Sequence, residues 1–177
     1  MLDDPRPTKQ LPSVELAILS DRVLAALVAG SIERASDEFG RPLPPVLLED
    51  SWLWNFRLNQ LREDPPSATW LVRLILDRST GAIVGHAGFH GPPDENGMVE
   101  VGYTIHPAYR RRGYATATLG ALIDYAAEQP AVEVVRASVS PDNAASLATI
   151  DHYGFVQVGE QMDEIDGLEL IFERSVR

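Results

Sequence analysis

The stretch Ala108 to Thr116, AYRRRGYAT, sets three adjacent arginines and a glycine directly ahead of a run of good helix formers. The chain around it is acidic, with 26 Asp and Glu against 15 Lys and Arg in 177 residues and a formal net charge of -11. A basic cluster in such a chain is either a solvated surface turn or a site for an anion. Ala115, Leu119, Leu122, Ile123 and Ala126 recur at helical spacing, so the turn opens an amphipathic helix. The first turn of a helix leaves backbone N–H groups unpaired, and the helix dipole adds partial positive charge at the same end. Gly113 and the small Ala115 allow an oxyanion to approach that backbone, and Arg110, Arg111 and Arg112 can add charge-assisted bonds.

Outward from the turn the period changes. In MVEVGYTI, ending at Ile105, Val99, Val101, Tyr103 and Ile105 fall on one face of a strand, and Glu100, Gly102 and Thr104 on the other. Before it, WLVRLILD from Trp70, the turn RSTG, AIVGHAGFH and the loop GPPDENG read as an antiparallel meander. After the helix come VEVVRASVS, DNAASLATIDHY, GFVQVGEQ and LELIFER, read as strand, capped helix, strand and strand. Upstream, VELAIL is a first strand, Ser20 or Asp21 caps a helix closed by Gly30, a second helical piece runs to Phe39, and Asp50 or Ser51 caps WLWNFRLNQLRED. The order implies an α+β (mixed α/β) fold: a mostly antiparallel mixed sheet of about seven strands, one pair parallel across the crossover helix, with helices on both faces.

The length fits one domain, expected over residues 13–177 behind a loosely docked lead-in at 1–12, MLDDPRPTKQLP. The negative charge argues against nucleic acid and anionic membranes as partners and favours a cationic one. The chain has no cysteine, hence neither disulfides nor a thiol nucleophile of its own, and with no long apolar run a cytoplasmic protein is expected.

Neither Gly-x4-Gly-Lys-Ser/Thr nor Gly-x-Gly-x-x-Gly is present. Arg110-x-x-Gly113-x-Ala115, after a strand ending at Ile105, instead resembles the pyrophosphate loop of the GCN5-related N-acetyltransferase (GNAT) superfamily, Gln/Arg-x-x-Gly-x-Gly/Ala. The resemblance runs from Ile83 to Phe155 through EVGYTIHPAYRRRGYAT, RASVS and PDNAASLATIDHYGF, and is greatest to the ribosomal-protein amino-terminal acetyltransferase branch. It implies acetyl-CoA as co-substrate, no metal, and a GNAT fold whose parallel strands splay around the CoA arm. The pyrophosphate would rest on backbone N–H groups from Arg111 to Thr116, a span that includes Tyr114 and Ala115. The pantetheine would lie between Tyr103, Thr104 and Ile105 on one strand and Ser138 to Ser140 on the next. An N–H near Ile105 would hold the thioester carbonyl oxygen, which gains charge as an amine attacks. Asn143 matches the family asparagine that contacts the pantetheine arm or the substrate side of the cleft; it also reads as a plain helix cap.

An attacking amine must be neutral, so a base is needed, and Glu100 is the first candidate. Symmetric pairing across GPPDENG places it opposite Gly88, between His86 and His90 on one sheet face. Those three could also hold a metal, although no HExxH or Cys/His motif supports that, and each histidine can be an ordinary buried one. For the acid, the family tyrosine seven residues after the asparagine is replaced by Ile150. Tyr153 falls on another helical face and is expected to pack beside Phe155. Ser146 matches a family serine that donates to the CoA sulfur; its plainer alternative is a local bond to backbone. Ala117 stands where close relatives carry glutamate. The expected activity is direct acetyl transfer in a ternary complex to a primary amine, on a protein N-terminus or a small and preferably cationic molecule, by a monomer or homodimer. A catalytically silent acyl-CoA-binding module on the same fold is the alternative. SWLWNF and Trp70 read as core or as pocket wall, with core the expected placement.

Overall fold

The computed structural model describes residues 10–164 and 167–177, so most of the expected lead-in lies outside the described residues. Among these residues seven strands form one sheet: β1 (Val14–Ile18), β2 (Arg73–Asp77), β3 (Ile83–Phe89), β4 (Met98–Ile105), β5 (Val134–Val139), β6 (Val156–Asp163) and β7 (Gly167–Ser175), in the order β1-β2-β3-β4-β5-β7-β6. All neighbours are antiparallel except β4 and β5, which the crossover helix makes parallel. Among the described residues five α-helices accompany them: α1 (Asp21–Val28), α2 (Ile32–Phe39), α3 (Ser51–Glu63), α4 (Tyr114–Ala127) and α5 (Ala144–His152). None of the described helices is long and apolar enough to cross a membrane.

Helices cover both faces, which is why β2 and β3 are buried at every position and read as near-continuous apolar runs. On one face Phe89, Val101 and Val135 pack with Leu119 and Leu122 of α4 and Ile150 of α5. On the other, Leu74 and Leu76 pack with Leu24 and Leu27 of α1 and Trp54 and Leu58 of α3. Trp54 is fully buried, its indole N–H donating to the Leu47 carbonyl, and its burial with that bond fixes α3 on the sheet. Trp70 is half-buried and stacks edge-on against Phe89 and Tyr125 at the border of the core. Trp52 and Phe56, on the outward face of α3, are exposed, so SWLWNF is core only in part.

Local details refine the sequence reading. Ser20, not Asp21, caps α1, its hydroxyl accepting from Val23 N. Neither Asp50 nor Ser51 provides a side-chain cap for α3, because the chain enters it from a 3-10 turn over Pro45–Asp50 and the Asp50 carboxylate turns toward His86. β2 begins at Arg73, later than Trp70, because the Arg73 guanidinium donates to the carbonyls of Thr69 and Leu71 and holds that segment in a bend.

The feature that positions the site is how short the parallel ladder is. Only Met98, Val99 and Glu100 pair with Val134, Val135 and Arg136. Beyond them β5 stays with β7 as far as Val139–Leu170, while β4 stays with β3 as far as Ile105–Gly85. The two strands therefore part, and the carboxyl-terminal half of β4 has no neighbour on its β5 side.

Candidate active site

The gap left by the parted strands continues into a cavity of about 540 Å³, a size typical of small-molecule sites. Tyr103, Thr104, Ile105, Arg110, Arg111, Gly113, Tyr114, Ala115, Thr116, Asn143 and Ser146 all line it. Of the residues singled out in sequence for a cofactor, Arg112 and the stretch Ser138 to Ser140 lie outside the wall; the Arg112 guanidinium sits 5.6 Å from the Tyr109 ring centroid.

At one end the cavity meets the amino terminus of α4. Gly113 is the residue before the helix, left-handed at φ 89, and no side chain caps the N–H groups that follow. The first helical bond there runs from Ala117 N to Gly113 O, which leaves Tyr114, Ala115 and Thr116 as open donors facing the cavity. By contrast, α1, α2 and α5 each carry a side-chain cap. Arg111 is also left-handed, at φ 59, a conformation an arginine adopts only when its surroundings impose it. The arginines divide their work: Arg110 Nε donates to the Ile105 carbonyl at 3.0 Å, Arg111 is an exposed cation on the wall, and Arg112 covers Tyr109.

Gly113 has a second role that sequence did not show. A Cβ there would lie 3.2 Å from both Leu11 Cδ2 and Pro12 Cδ, so the end of the lead-in packs behind the loop. The missing side chain thus admits the lead-in as well as the left-handed turn. Asp77 is another residue that sequence reading missed. Its carboxylate accepts from the Tyr114 hydroxyl and from Ser79 Oγ, Ser79 N and Thr80 N. The hydroxyls of Ser79 and Tyr114, with the Thr80 N–H, hold Asp77 well below the usual carboxylate range. This network ties the first residue of α4 to the β2–β3 turn, a long-range pairing that no local motif announces.

Along the cavity, strand geometry sets the donor at Ile105. His106 N donates to Val84 O on β3, and successive N–H groups of a strand point to opposite sides. Ile105 N–H therefore points into the gap, beside its own carbonyl, which Arg110 engages. On α5, Asn143 Oδ1 accepts from Ser146 N at 3.1 Å, so the helix-cap reading of Asn143 is correct while the residue also lines the cavity. Ile150 is 1% exposed and belongs to the core. Tyr153 donates to the Thr116 carbonyl at 2.8 Å and fills the space over Gly120, where any Cβ would overlap its hydroxyl.

Glu100 sits on the opposite sheet face from Tyr103, with its side chain 20% exposed. It accepts from Ser138 Oγ at 2.6 Å and lies 3.8 Å from His90 Nδ1. The expected register was off by two residues: Gly102, not Glu100, faces Gly88, and His90 N donates to Glu100 O. A two-residue slip preserves the face, so Glu100 and His90 still meet, but His86 faces Thr104 instead. His86 is buried against Trp54, with Nε2 3.3 Å from Asp50 Oδ2 in a poorly aligned contact. Burial, aided by nearby His106 and opposed by Asp50, pushes its pKa down; burial likewise lowers that of His106. His90 is also held below its ordinary value, desolvation outweighing the pull of Glu100. Among the described residues no group of three His, Asp or Glu side chains could hold a metal ion.

Comparison with known proteins adds family and fold. Residues 20–156 match the family model described as an acetyltransferase (GNAT) domain. YjdG of Bacillus subtilis (strain 168), named as an uncharacterized N-acetyltransferase, is 36% identical over 83 residues, 47% of this chain and 49% of that protein. The chain thus spans about half the length of the curated relatives it matches. Mycobacterium smegmatis RimJ, solved with CoA-disulfide, superposes with a TM-score of 0.65 at 22% identity, covering 92% of this chain and 81% of that one. The microcin C7 self-immunity acetyltransferase MccE, solved with acetyl-CoA and AMP, gives 0.64 at 17% identity and covers 92% of each chain. At these identities the two structures establish a shared fold.

Proposed function

The chain belongs to the GNAT acetyltransferase family, and on that premise we propose that it is an acetyl-CoA-dependent N-acetyltransferase acting on a primary amine in a ternary complex. The observation that carries this reading is the continuity of one cavity from the uncapped amino terminus of α4 to the unpaired edge of β4 at Ile105. Its donors suit the two ends of an acyl-CoA. The N–H groups of Tyr114, Ala115 and Thr116, with Arg111, suit a pyrophosphate. The N–H of Ile105 suits a carbonyl oxygen.

Acetyl-CoA supplies the acetyl group as a thioester. In the proposed reaction Glu100 takes the ammonium proton of the acceptor, directly or through a water, and frees the nitrogen lone pair. Ile105 N–H stabilises the charge that gathers on the carbonyl oxygen as the new C–N bond forms. When the C–S bond breaks, sulfur leaves with the electron pair, Ser146 donates to it, the nitrogen gives up its second proton to water, and water supplies the proton that completes the thiol. Glu100 is outside the cavity wall, but β4 and β5 part just beyond it, and an acceptor entering through that gap from the Glu100 face would meet the thioester there. The -11 net charge favours a cationic acceptor, such as a protein N-terminus or a polyamine.

Calorimetric titration with CoA tests the cavity assignment, and free-thiol release from acetyl-CoA across peptides and polyamines tests the transfer. Glu100→Gln should lower kcat roughly hundredfold while leaving CoA affinity unchanged, in line with the worth of a positioned base. Tight CoA binding without thiol release in response to any amine would make the chain a silent acyl-CoA binder.

A further inference from the structure

The acid position of the family is filled by buried Ile150, yet the cavity contains another phenol. Tyr103 reaches across from β4 to α5, and its hydroxyl oxygen is buried without an aligned hydrogen-bond partner. The hydroxyls of Ser146 and Thr149 lie beside it. Proton accounting limits what these three groups can do. Thr149 commits its only hydroxyl hydrogen to the Ala145 carbonyl at 2.9 Å, so toward Tyr103 it can act only as an acceptor. Tyr103 and Ser146 each hold one hydrogen, and a buried donor left unmatched costs free energy.

Resting on the reading of the cavity as an acyl-CoA site, we propose that Tyr103 is a positioning residue that donates its phenolic hydrogen to Ser146 Oγ and thereby turns the Ser146 O–H toward the departing sulfur. With its acceptor lone pair engaged by Tyr103, Ser146 has a hydrogen free for the thiolate. No proton leaves Tyr103: the C–S electron pair goes to sulfur, the Ser146 O–H stabilises it, and water delivers the proton that completes the thiol. Burial raises the Tyr103 pKa against the opposing effect of the neighbouring hydroxyls, which keeps the phenol protonated as a donor. The pair replaces the stabilising part of the role that a tyrosine at position 150 would have.

The test reads the thiol of bound CoA and needs no acceptor. Titrating the protein–CoA complex by ultraviolet thiolate absorbance gives the pKa of that thiol. In Tyr103→Phe it should rise by about one unit or more, the tenfold or larger loss of thiolate affinity expected for a hydrogen bond to a charged group. Affinity for desulfo-CoA, which lacks the sulfur, should fall less than affinity for CoA at a pH where the bound thiol ionises. Ser146→Ala should give the same rise, and the double variant no more than either single one, because the two act as a unit. Thr149→Val, which deletes the rival acceptor, should leave the bound thiol pKa unchanged or lower it. An unchanged thiol pKa in Tyr103→Phe, additive single effects, or a rise in Thr149→Val would overturn the proposal while leaving the CoA site standing. Failure of the wild-type protein to bind CoA would overturn both.

Discussion

Replacing Gly113 by alanine tests the loop through its backbone alone, with no change of charge. At φ 89 and ψ 1 an L-residue is left-handed, which costs about 1–2 kcal/mol relative to glycine. The added Cβ would sit 3.2 Å from Leu11 Cδ2 and Pro12 Cδ, contacts that a shift of a few tenths of an ångström relieves, so the conformational term dominates. That cost must appear in one of two places. If the loop keeps its shape without ligand, the folded state bears it, and Tm falls by roughly 2–8 °C for a chain of this size. If the loop relaxes, stability is spared and CoA binding must restore the left-handed residue, which weakens Kd by about 5–30-fold. Scanning calorimetry without ligand and titration calorimetry with CoA measure the two parts, and their sum should come to about 1–2 kcal/mol. Arg111→Ala is the companion measurement: it removes an exposed cation and should cost binding no more than about 1 kcal/mol. A Gly113→Ala protein that keeps both Tm and Kd, or an Arg111→Ala loss larger than the combined Gly113→Ala loss, would refute a backbone-built cradle.

Two further outcomes follow from the buried groups. Ile150→Tyr, which restores the family residue type, should not raise turnover; the side chain is 1% exposed in the core, so the extra volume should destabilise by about 1–3 kcal/mol in urea denaturation. His86 and His106 both have folded pKa values pushed below that of an unfolded histidine, so the unfolded chain binds more protons as pH falls through about 6.5. Stability should accordingly be highest above that pH and decline below it until the folded-state values are passed; a urea midpoint that rises between pH 7 and pH 5 would contradict this.

The order of elements was legible because each carries its own period or cap. Val99 to Ile105 alternate, Leu119 to Ala126 form a stripe, and Ser20 and Asn143 occupy cap positions whose bonds span only three residues. What escaped sequence reading depends on contacts between distant segments or on the exact shape of a loop. The β3–β4 register was misjudged because GPPDENG does not bend at its centre: Asp94 Oδ1 accepts from Asn96 N and Met98 N, and left-handed Gly97 closes the turn near the β4 end. The same holds for Asp77 with Tyr114, and for Leu11 and Pro12 behind Gly113, pairs too far apart in sequence for any local signal. Tyr103 was assigned to the cavity by resemblance, but its unmatched hydroxyl becomes visible only when α5 is set against β4. The three arginines looked equivalent in sequence, and only the fold assigns each a different task.

The placement of two separate cores on the two faces of one sheet bears on how such a chain can diversify. The layer of α1 and α3 packs on Leu74 and Leu76, while α4 and α5 pack on Val101 and Val135. Energetic effects at sites that share no partners are close to additive, so changes on the α1–α3 side need not be compensated around the uncapped end of α4. Under the proposed function, new acceptor preferences could therefore arise by drift in the first layer while the cavity at the end of α4 is inherited unaltered. The exposed Trp52 and Phe56 on α3 are places where such drift would meet little resistance from packing.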